Sequence, residues 1–344
     1  MWINPKLAAA ADGFHPDSVV FDMDGVLIDN SQIVEFDIVA VLFIFTDVYG
    51  LTDRGVELLT RNAVAAFKQA GGFNDDFDLV YGVVAIYNAV RLEADIGDIA
   101  TLRRNAPDLV AVASAQQGGL PGLLASLPPA ARPDWTMVQT VCAEIYWGAD
   151  LVRRILGVEP KYTVRRGMCE DEQALARPEL MNELAALGFS KWGMITGRIA
   201  VEMDVALKRL PVNLQQPPVS VTGDLIRKPD PAALVRVVQT LGSSGGYYVG
   251  DTADDLRLVQ HYEALRAGAA SPYVAAEREQ RTIGTLDVDD RAGGLISPAT
   301  LPPFRCVMVA RAGEQALWQA RGADGVIASV NELPLLLRQI ARMV

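Results

Sequence analysis

The sequence contains few residues of the types on which several classes of functional site depend. Its 344 residues include only two histidines and three cysteines. His15 and His261 stand apart from other candidate ligands, which argues against a histidine-rich metal centre and against a Ser-His-Asp triad. The cysteines form no CxxC pair and leave one thiol over under any disulfide scheme, as is typical of a reducing compartment.

A positive charge balance and a long apolar segment are also absent. Lys and Arg number 31 against 42 Asp and Glu, for a formal net charge of −11. Such an acidic chain is poorly suited to nucleic-acid phosphates or anionic membranes. The longest uncharged run, residues 109–131, is broken by Gly and Pro, and no basic leader followed by an apolar stretch opens the sequence. We therefore expect a cytoplasmic protein with no membrane segment and no nucleic-acid partner, and the oligomeric state stays open.

What the sequence does contain is a series of short apolar runs that end in polar residues. Four runs predict buried strands, at residues 18–21, 192–195, 247–249 and 304–310. Apolar residues at helical spacing predict intervening helices, for example over residues 178–187 and 231–241. Alternating strands and helices indicate a parallel α/β sheet of Rossmann-like type, which binds ligands at the carboxyl ends of its strands.

A long helical insertion separates the first predicted strand from the next one. At 344 residues the chain exceeds the usual size of a single core. We predict a catalytic core formed by residues 1–30 and 178–344, and an inserted, mostly α-helical domain at residues 31–177. Helices are expected at four stretches of the insertion, and residues 115–133, rich in Gly, Pro and Ala, are expected to form a loop. The four stretches are residues 33–48, 54–70, 78–91 and 138–156. No function is assigned to residues 260–303.

Acidic residues follow two of the predicted strands. Asp22 and Asp24 come directly after residues 18–21, and Asp251 and Asp255 follow residues 247–249. Carboxylates brought together repel one another, and Mg²⁺, which prefers oxygen ligands, relieves that repulsion and can bridge them to a phosphate. An Asp pair before a glycine can equally form an ordinary turn. The repetition of the pattern at two strand ends favours the metal site.

Phosphate-binding groups follow at other positions. Thr196 and Gly197 come after a third predicted strand and offer a hydroxyl and a backbone N–H to a phosphoryl oxygen. Lys228 offers a positive charge. Each signal is weak alone, and only their order along the chain makes them informative.

That order, DxDGV, then TGR after an apolar run, then KPDP, then GDxxxD, resembles the four-motif pattern of the haloacid dehalogenase superfamily, in its phosphatase branch. The resemblance implies a Rossmann-like core with an inserted helical cap and phosphoryl transfer through an aspartyl-phosphate. Transferred by position, Asp22 would be the nucleophile and Asp24 the general acid/base. Mg²⁺ would be held by Asp22, the backbone carbonyl of Asp24 and Asp251, with Asp254 or Asp255 in support. The phosphoryl group would be held by Thr196, Gly197 and Lys228.

The reaction within this family has more than one candidate. Hydrolysis of a small phosphomonoester leads, and a phosphomutase shares the same nucleophile and metal. Dehalogenation is disfavoured because that branch lacks the second acid of the DxD motif. A binding or regulatory protein that keeps the fold without turnover is the alternative outside enzymes, although every motif residue is present.

The insertion is expected to select the substrate. Residues 65–81 and 143–148 resemble cap segments of one subgroup of these hydrolases, but Glu35 and Asp37 stand where a basic residue is expected. The insertion has more acidic than basic residues, which favours a small phosphorylated metabolite with a single phosphate. The first candidates for substrate contact form a polar cluster, which could equally be a solvated, helix-capping turn. They are Asn74, Asp75 and Asp76.

Overall fold

The chain forms two compact units. The computed structural model describes residues 1–9, 14–29, 31–52, 55–73, 75–116, 118–269 and 301–343. The first unit, called here the sheet unit, comprises Met1–Leu27 and Ala174–Val344, and the second, the helical unit, comprises Ile28–Gln173. The sequence places these divisions after residues 30 and 177. Most of the stretch 260–303, to which no function is assigned, lies outside the described residues.

The sheet unit contains a seven-stranded sheet in the order β1-β7-β6-β5-β2-β3-β4. Its strands are β1 Trp2–Ile3, β2 Ser18–Phe21, β3 Lys191–Ile195, β4 Ser220–Val221, β5 Gly246–Gly250, β6 Phe304–Val309 and β7 Gly325–Ile327. All neighbours pair in parallel except β1, which pairs antiparallel to β7. The predicted α/β fold with a largely parallel sheet is thereby confirmed. The two-residue edge strands β1 and β4 were not predicted.

Helices pack against this sheet and bury its apolar strands. They are α1 Lys6–Ala9, α10 Leu180–Ala186, α11 Ala200–Leu207, α12 Ala232–Leu241, α13 Ala253–Arg266, α14 Gln315–Ala320 and α15 Leu333–Met343. In α12 the apolar stripe Leu234, Val237 and Val238 lies in the core, as its helical spacing predicts. β2 is buried along its whole length, which a central strand covered on both faces requires.

The helical unit contains eight α-helices among its described residues. They are α2 Ser31–Phe43, α3 Arg61–Ala70, α4 Asp76–Glu93, α5 Ile99–Asn105, α6 Leu109–Ala115, α7 Gly119–Ala125, α8 Trp135–Tyr146 and α9 Gly148–Leu156. A π-helical stretch, Ile44–Val48, follows α2 directly. No described helix of the chain has both the length and the apolar character needed to cross a membrane.

Three local predictions in this unit were wrong. α3 begins at Arg61 rather than near residue 54, because the hydroxyl of Thr60 caps it by accepting from the N–H of Ala63. The helix predicted over residues 138–156 is two helices. Gly148 separates them with a φ of 77°, and a Cβ there would lie 2.1 Å from the nitrogen of Gly167.

The third wrong prediction is the loop over residues 115–133. This stretch contains α7 and a 3₁₀ turn at Pro129–Ala131. Leu120 and Leu123 of α7 are buried, so tertiary packing stabilises a helix whose Gly and Pro content predicts a loop.

Candidate active site

The predicted functional residues of the sheet unit lie where neighbouring strands end. Asp22 follows β2, Thr196 follows β3, and Asp251 follows β5. These strands are parallel neighbours in the order β5-β2-β3, so their carboxyl ends meet at one edge. The N–H of Asp22 still donates to the carbonyl of Val249 at 2.8 Å, which ties the start of the acidic loop to the sheet. The edge therefore gathers these side chains from separate parts of the sequence.

Lys228 joins two buried carboxylates. Its Nζ lies 2.9 Å from Oδ2 of Asp22 and 2.8 Å from Oδ1 of Asp255. Side-chain exposure is 1% for the lysine and at most 4% for the two acids, so all three charges are removed from water. Burial opposes the charged lysine, but the charges of Asp22 and then Asp255 raise its pKa well above the ordinary value. Lys228 is therefore a permanent cation between the two acids.

Asp255 accepts hydrogen bonds from five donor groups. Oδ1 accepts from Lys228 and from the hydroxyl of Tyr248, and Oδ2 accepts from the N–H of Asp251 and from both the N–H and hydroxyl of Thr252. Burial acts to raise the pKa of Asp255, but the charge of Lys228 and these hydrogen bonds hold it below its ordinary value. Asp255 thus shapes the loop and positions Lys228, and few of its lone pairs remain for another ligand.

A glycine makes room for this carboxylate. A Cβ at Gly250 would lie 2.3 Å from the Cβ of Asp255 and 2.7 Å from its Oδ2. No side chain at position 250 is compatible with Asp255 in its present place. The glycine of the GD pair is thus explained by packing at the site.

The residues fit a hard divalent cation by their donor chemistry. One carboxylate oxygen from each of Asp22, Asp251 and Asp255 lies within 4.8 Å of the others. Burial, and then the negative charge of Asp255, raises the pKa of Asp251 to about 7 and that of Asp22 well above its ordinary value. Lys228 opposes the rise at Asp22. Crowded buried carboxylates of this kind are the oxygen ligands that Mg²⁺ prefers, and its charge would relieve their repulsion.

The structure separates the two acids that the sequence left as alternatives. Asp255 belongs to this cluster, whereas Asp254 pairs with Arg257 at 3.2 Å. Both lie in the first turn of α13, and consecutive helical residues point in different directions. The geometry therefore places Asp255 beside Asp22 and Asp251.

Thr196 and Gly197 lie in a tightly held turn after β3. The N–H of Thr196 donates to the carbonyl of Val221 at 2.9 Å, and its side chain is fully buried. A Cβ on Gly223 would lie 2.2 Å from the carbonyl oxygen of Gly197, so these two backbone segments approach as only glycine permits. The turn is a rigid part of the same strand edge.

Asp24 lies next to this cluster but has a different partner. Its carboxylate forms an ion pair with Arg198, with Oδ1 2.6 Å from Nη2 of the arginine. Like Asp254, Asp24 does not contribute a carboxylate to the three-residue group. This is compatible with a role through its backbone carbonyl.

The substrate-contact candidates lie in the helical unit. Asn74 lies outside the described residues. Asp75 caps α4 by accepting from the N–H of Phe77 at 3.0 Å, and Asp76 forms an ion pair with Lys68 at 2.7 Å. Asp75 therefore has the helix-capping role that the sequence offered as the alternative to substrate contact. Contact of Asp75 or Asp76 with a substrate stays a prediction.

The two acids near position 35 have separate environments. Glu35 pairs on the surface with Arg61 at 2.6 Å, whereas Asp37 of α2 is fully buried. Burial, followed by the negative charge of Asp76, raises the pKa of Asp37 well above the ordinary value of 3.8, and Lys68 opposes the rise. The folded chain therefore binds a proton at Asp37 more tightly than the unfolded chain does.

This linkage predicts a pH-dependent effect of Asp37→Asn. Because folding raises the pKa of Asp37, the stability that this residue contributes falls as the pH rises from about 4 towards 7. An asparagine at position 37 does not titrate, so its contribution stays the same over this range. We expect the Tm of the variant, relative to wild type, to increase over this range by about 2–4 °C or more. Thermal unfolding at several pH values measures it. Asp204→Asn, on the exposed face of α11, is the matched control, and a pH-independent difference for Asp37→Asn would contradict the prediction.

Sequence reasoning missed three contributors to the site. Arg198 contacts Asp24, Tyr248 donates to Asp255, and Arg311, which follows β6, lies 3.8 Å from Oδ2 of Asp251. The sequence contained a signal for the first two. Arg198 is the third residue of the TGR motif, and Tyr248 lies two residues before Gly250, so it is on the same face of β5. Arg311 carries no recognisable pattern.

Comparison with known proteins gives the relatives of this chain. A family model for haloacid dehalogenase-like hydrolases matches residues 16–260. The phosphatase Tt82 from Thermococcus thioreducens is 23% identical, with a TM-score of 0.51 over 72% of this chain and 88% of its own. A structural-genomics target is 17% identical, with a TM-score of 0.58 over 95% of this chain and 100% of its own. No match to a curated protein was detected.

These structural similarities show the fold alone, because the identities are low. The family model, in contrast, spans more than half of the chain and includes Asp22, Thr196, Lys228 and Asp251. Together with the α/β sheet, it establishes that this chain belongs to the haloacid dehalogenase-like hydrolases.

Proposed function

We propose that this chain is a Mg²⁺-dependent phosphatase that hydrolyses a small phosphomonoester through an aspartyl-phosphate on Asp22. The observation that carries the proposal is the pairing of Asp22 with the buried Lys228 at 2.9 Å. A carboxylate oxygen of Asp22 also lies within 4.8 Å of carboxylate oxygens of Asp251 and Asp255. A carboxylate is a weak nucleophile, and it becomes effective where its position is fixed and nearby cations neutralise the transferring group. The strand edge supplies both conditions.

In the first half-reaction an Asp22 oxygen attacks phosphorus. A bond forms between this oxygen and phosphorus, and the bond from phosphorus to the leaving oxygen breaks. Asp24 donates the proton that the leaving alcohol requires, while Lys228 and the turn at Thr196 and Gly197 hold the phosphoryl oxygens.

In the second half-reaction water attacks the same phosphorus. Asp24 now accepts a proton from that water, the bond to the Asp22 oxygen breaks, and inorganic phosphate leaves. Asp22 regains its carboxylate, so one water is consumed and the chain returns to its starting state.

The residues suited to hold Mg²⁺ are Asp22, Asp251 and the backbone carbonyl of Asp24. When bound, the cation supplies charge neutralisation to the phosphoryl oxygens and to the buried acids. Asp255, whose oxygens already accept five donors, supports the site by holding Lys228 and the backbone of Asp251.

Substrate choice is proposed to depend on the helical unit. The groups at the strand edge contact a phosphoryl group, which every candidate substrate shares, so they cannot discriminate among substrates. Asn74, Asp75 and Asp76 remain the first residues to test for this role.

The experiment that tests the function measures release of inorganic phosphate from p-nitrophenyl phosphate and from a panel of metabolite phosphates. A reaction stopped with hydroxylamine should yield a hydroxamate at Asp22, detectable by peptide mass spectrometry. Transfer of the phosphoryl group to a second sugar hydroxyl, with no phosphate released, would instead indicate a phosphomutase. Absence of both products with every substrate would contradict an enzymatic role.

The proposal also predicts that activity depends on Mg²⁺. Exhaustive chelation should remove activity, Mg²⁺ should restore it, and Ca²⁺ should inhibit, because it accepts more ligands in looser geometry and would misplace the nucleophile. Asp251→Asn should raise the Mg²⁺ concentration for half-maximal activity by more than about tenfold.

Asp254→Asn is the matched control for this measurement. This variant removes the carboxylate of Asp254, which pairs with Arg257 and does not belong to the group formed by Asp22, Asp251 and Asp255. Its Mg²⁺ requirement should equal that of wild type. Full activity after chelation, or equal shifts in both variants, would contradict the assignment of Asp251.

A further inference from the structure

Arg198 forms a two-point contact with Asp24. Its Nε lies 2.9 Å from Oδ2 and 3.2 Å from Oδ1, and its Nη2 lies 2.6 Å from Oδ1. The side chain of Arg198 is 5% exposed and that of Asp24 is 22% exposed. A planar guanidinium that contacts both oxygens of a carboxylate fixes its plane as well as its position.

The backbone that carries Arg198 is itself held in place. Its N–H donates to the hydroxyl of Thr196 at 3.2 Å, and its carbonyl accepts from the N–H of Gly223 at 2.8 Å. A Cβ at Gly223 would lie 2.2 Å from the carbonyl oxygen of Gly197, so the two segments are in close contact. The guanidinium therefore projects from a rigid turn.

Orientation of this carboxylate matters for the proposed chemistry. A group that transfers a proton must lie within hydrogen-bond reach of the reacting oxygen, and such catalysis contributes about 10²–10⁴-fold. Asp24 lies beyond the residues of β2 that pair with β3 and β5. The contact with Arg198, on the turn after the neighbouring strand β3, constrains this side chain.

We propose that Arg198 is a positioning residue that holds the plane of the Asp24 carboxylate for proton transfer to the leaving group. This inference rests on the proposed function. It assigns to the arginine of TGR a role separate from that of Thr196 and Gly197, which are proposed to contact the phosphoryl oxygens. An arginine that only tied the two loops together would affect the reaction of every substrate alike.

The leaving group separates these two roles. p-Nitrophenolate departs without a proton, whereas an alkoxide or a simple phenolate depends on protonation. We expect Arg198→Met to lower kcat/KM, which reports the first half-reaction alone, at least about tenfold more for an alkyl phosphate or phenyl phosphate than for p-nitrophenyl phosphate. Across a series of phosphomonoesters, log kcat/KM should fall more steeply with leaving-group pKa in the variant than in wild type.

Two further variants keep the test decisive if Arg198→Met is unstable. Arg198→Lys retains the charge but loses the two-point contact, and it should show an intermediate slope. In an Asp24→Asn background, Arg198→Met should add no further dependence on the leaving group, because the residue it positions is gone. Arg257→Met, an arginine that pairs at 3.2 Å with Asp254 outside the carboxylate cluster, is the matched control with a wild-type slope.

The outcomes distinguish this inference from the proposed function. Equal losses for all leaving groups in the Arg198 variants, or an additive effect in the double variant, would overturn the positioning role alone. A wild-type chain that releases no phosphate from any substrate would overturn the proposed function and this inference with it. A steeper slope confined to the Arg198 variants and to Asp24→Asn supports the inference.

Discussion

Asp22→Asn should lower phosphate release on the order of 10⁴-fold or more, while the chain remains folded. The amide is nearly isosteric with the carboxylate but cannot form the acyl phosphate. It can still accept from Lys228, and it removes one of three crowded charges. In the absence of metal, the Tm of the variant should therefore equal or exceed that of wild type.

Single-turnover assays and thermal unfolding measure these two effects. Asp24→Asn serves as the comparison, with an expected loss of about 10²–10⁴-fold, because it removes proton transfer and leaves the nucleophile. With p-nitrophenyl phosphate it should still form a trapped intermediate, whereas Asp22→Asn should form none. Activity near the wild-type level in Asp22→Asn would remove the covalent mechanism.

Lys228→Met should cause the largest loss of stability. It leaves Asp22 and Asp255 buried without their shared cation, and breaking a buried pair from one side costs about 3–5 kcal/mol. Denaturant unfolding measures the free energy change. Activity should also be lost, since the phosphoryl group loses its fixed positive charge.

A second substitution separates the stability effect from the catalytic one. Adding Asp22→Asn to Lys228→Met removes one of the uncompensated charges, so part of the lost stability should return while activity stays absent. Lys191→Met is the control. Its pair with Asp17 has a similar distance of 2.7 Å, but the lysine is 35% exposed, and its loss should cost less than about 1 kcal/mol. Equal losses from both lysines would contradict a special role for burial at Lys228.

The fold could be predicted where local sequence and tertiary structure agree. β2, β5 and β6 consist mostly of apolar residues, as a buried parallel strand requires. α7 could not be predicted, because its Gly and Pro content favours a loop and only the packing of Leu120 and Leu123 makes it helical. The break at Gly148 was equally hidden, since it depends on contact with Gly167, nineteen positions later.

The site shows a similar division. The acidic residues could be named because Asp22 and Asp251 directly follow strands, with Asp24 and Asp255 a few residues further on, and parallel strands bring their carboxyl ends together. Their partners could not, because an ion pair such as Arg198 with Asp24 depends on side-chain direction. Asp254 and Asp255 illustrate the limit, since neighbouring positions in one helical turn have the same residue type and differ only in the direction in which they point.

The position of β2 in the sheet also has a consequence for how the chain assembles. β2 pairs with β3 and β5, and both are encoded after the entire helical unit. During synthesis, the segment that carries Asp22 emerges early, but its first partner strand is complete only when the chain has extended beyond Ile195 and its second only beyond Gly250. Such non-local pairing slows folding, and an unpaired apolar strand is prone to aggregate in the meantime. The nucleophile therefore reaches its final environment late, when the last parts of the sheet are made, whereas the helical unit consists of local structure that can form first.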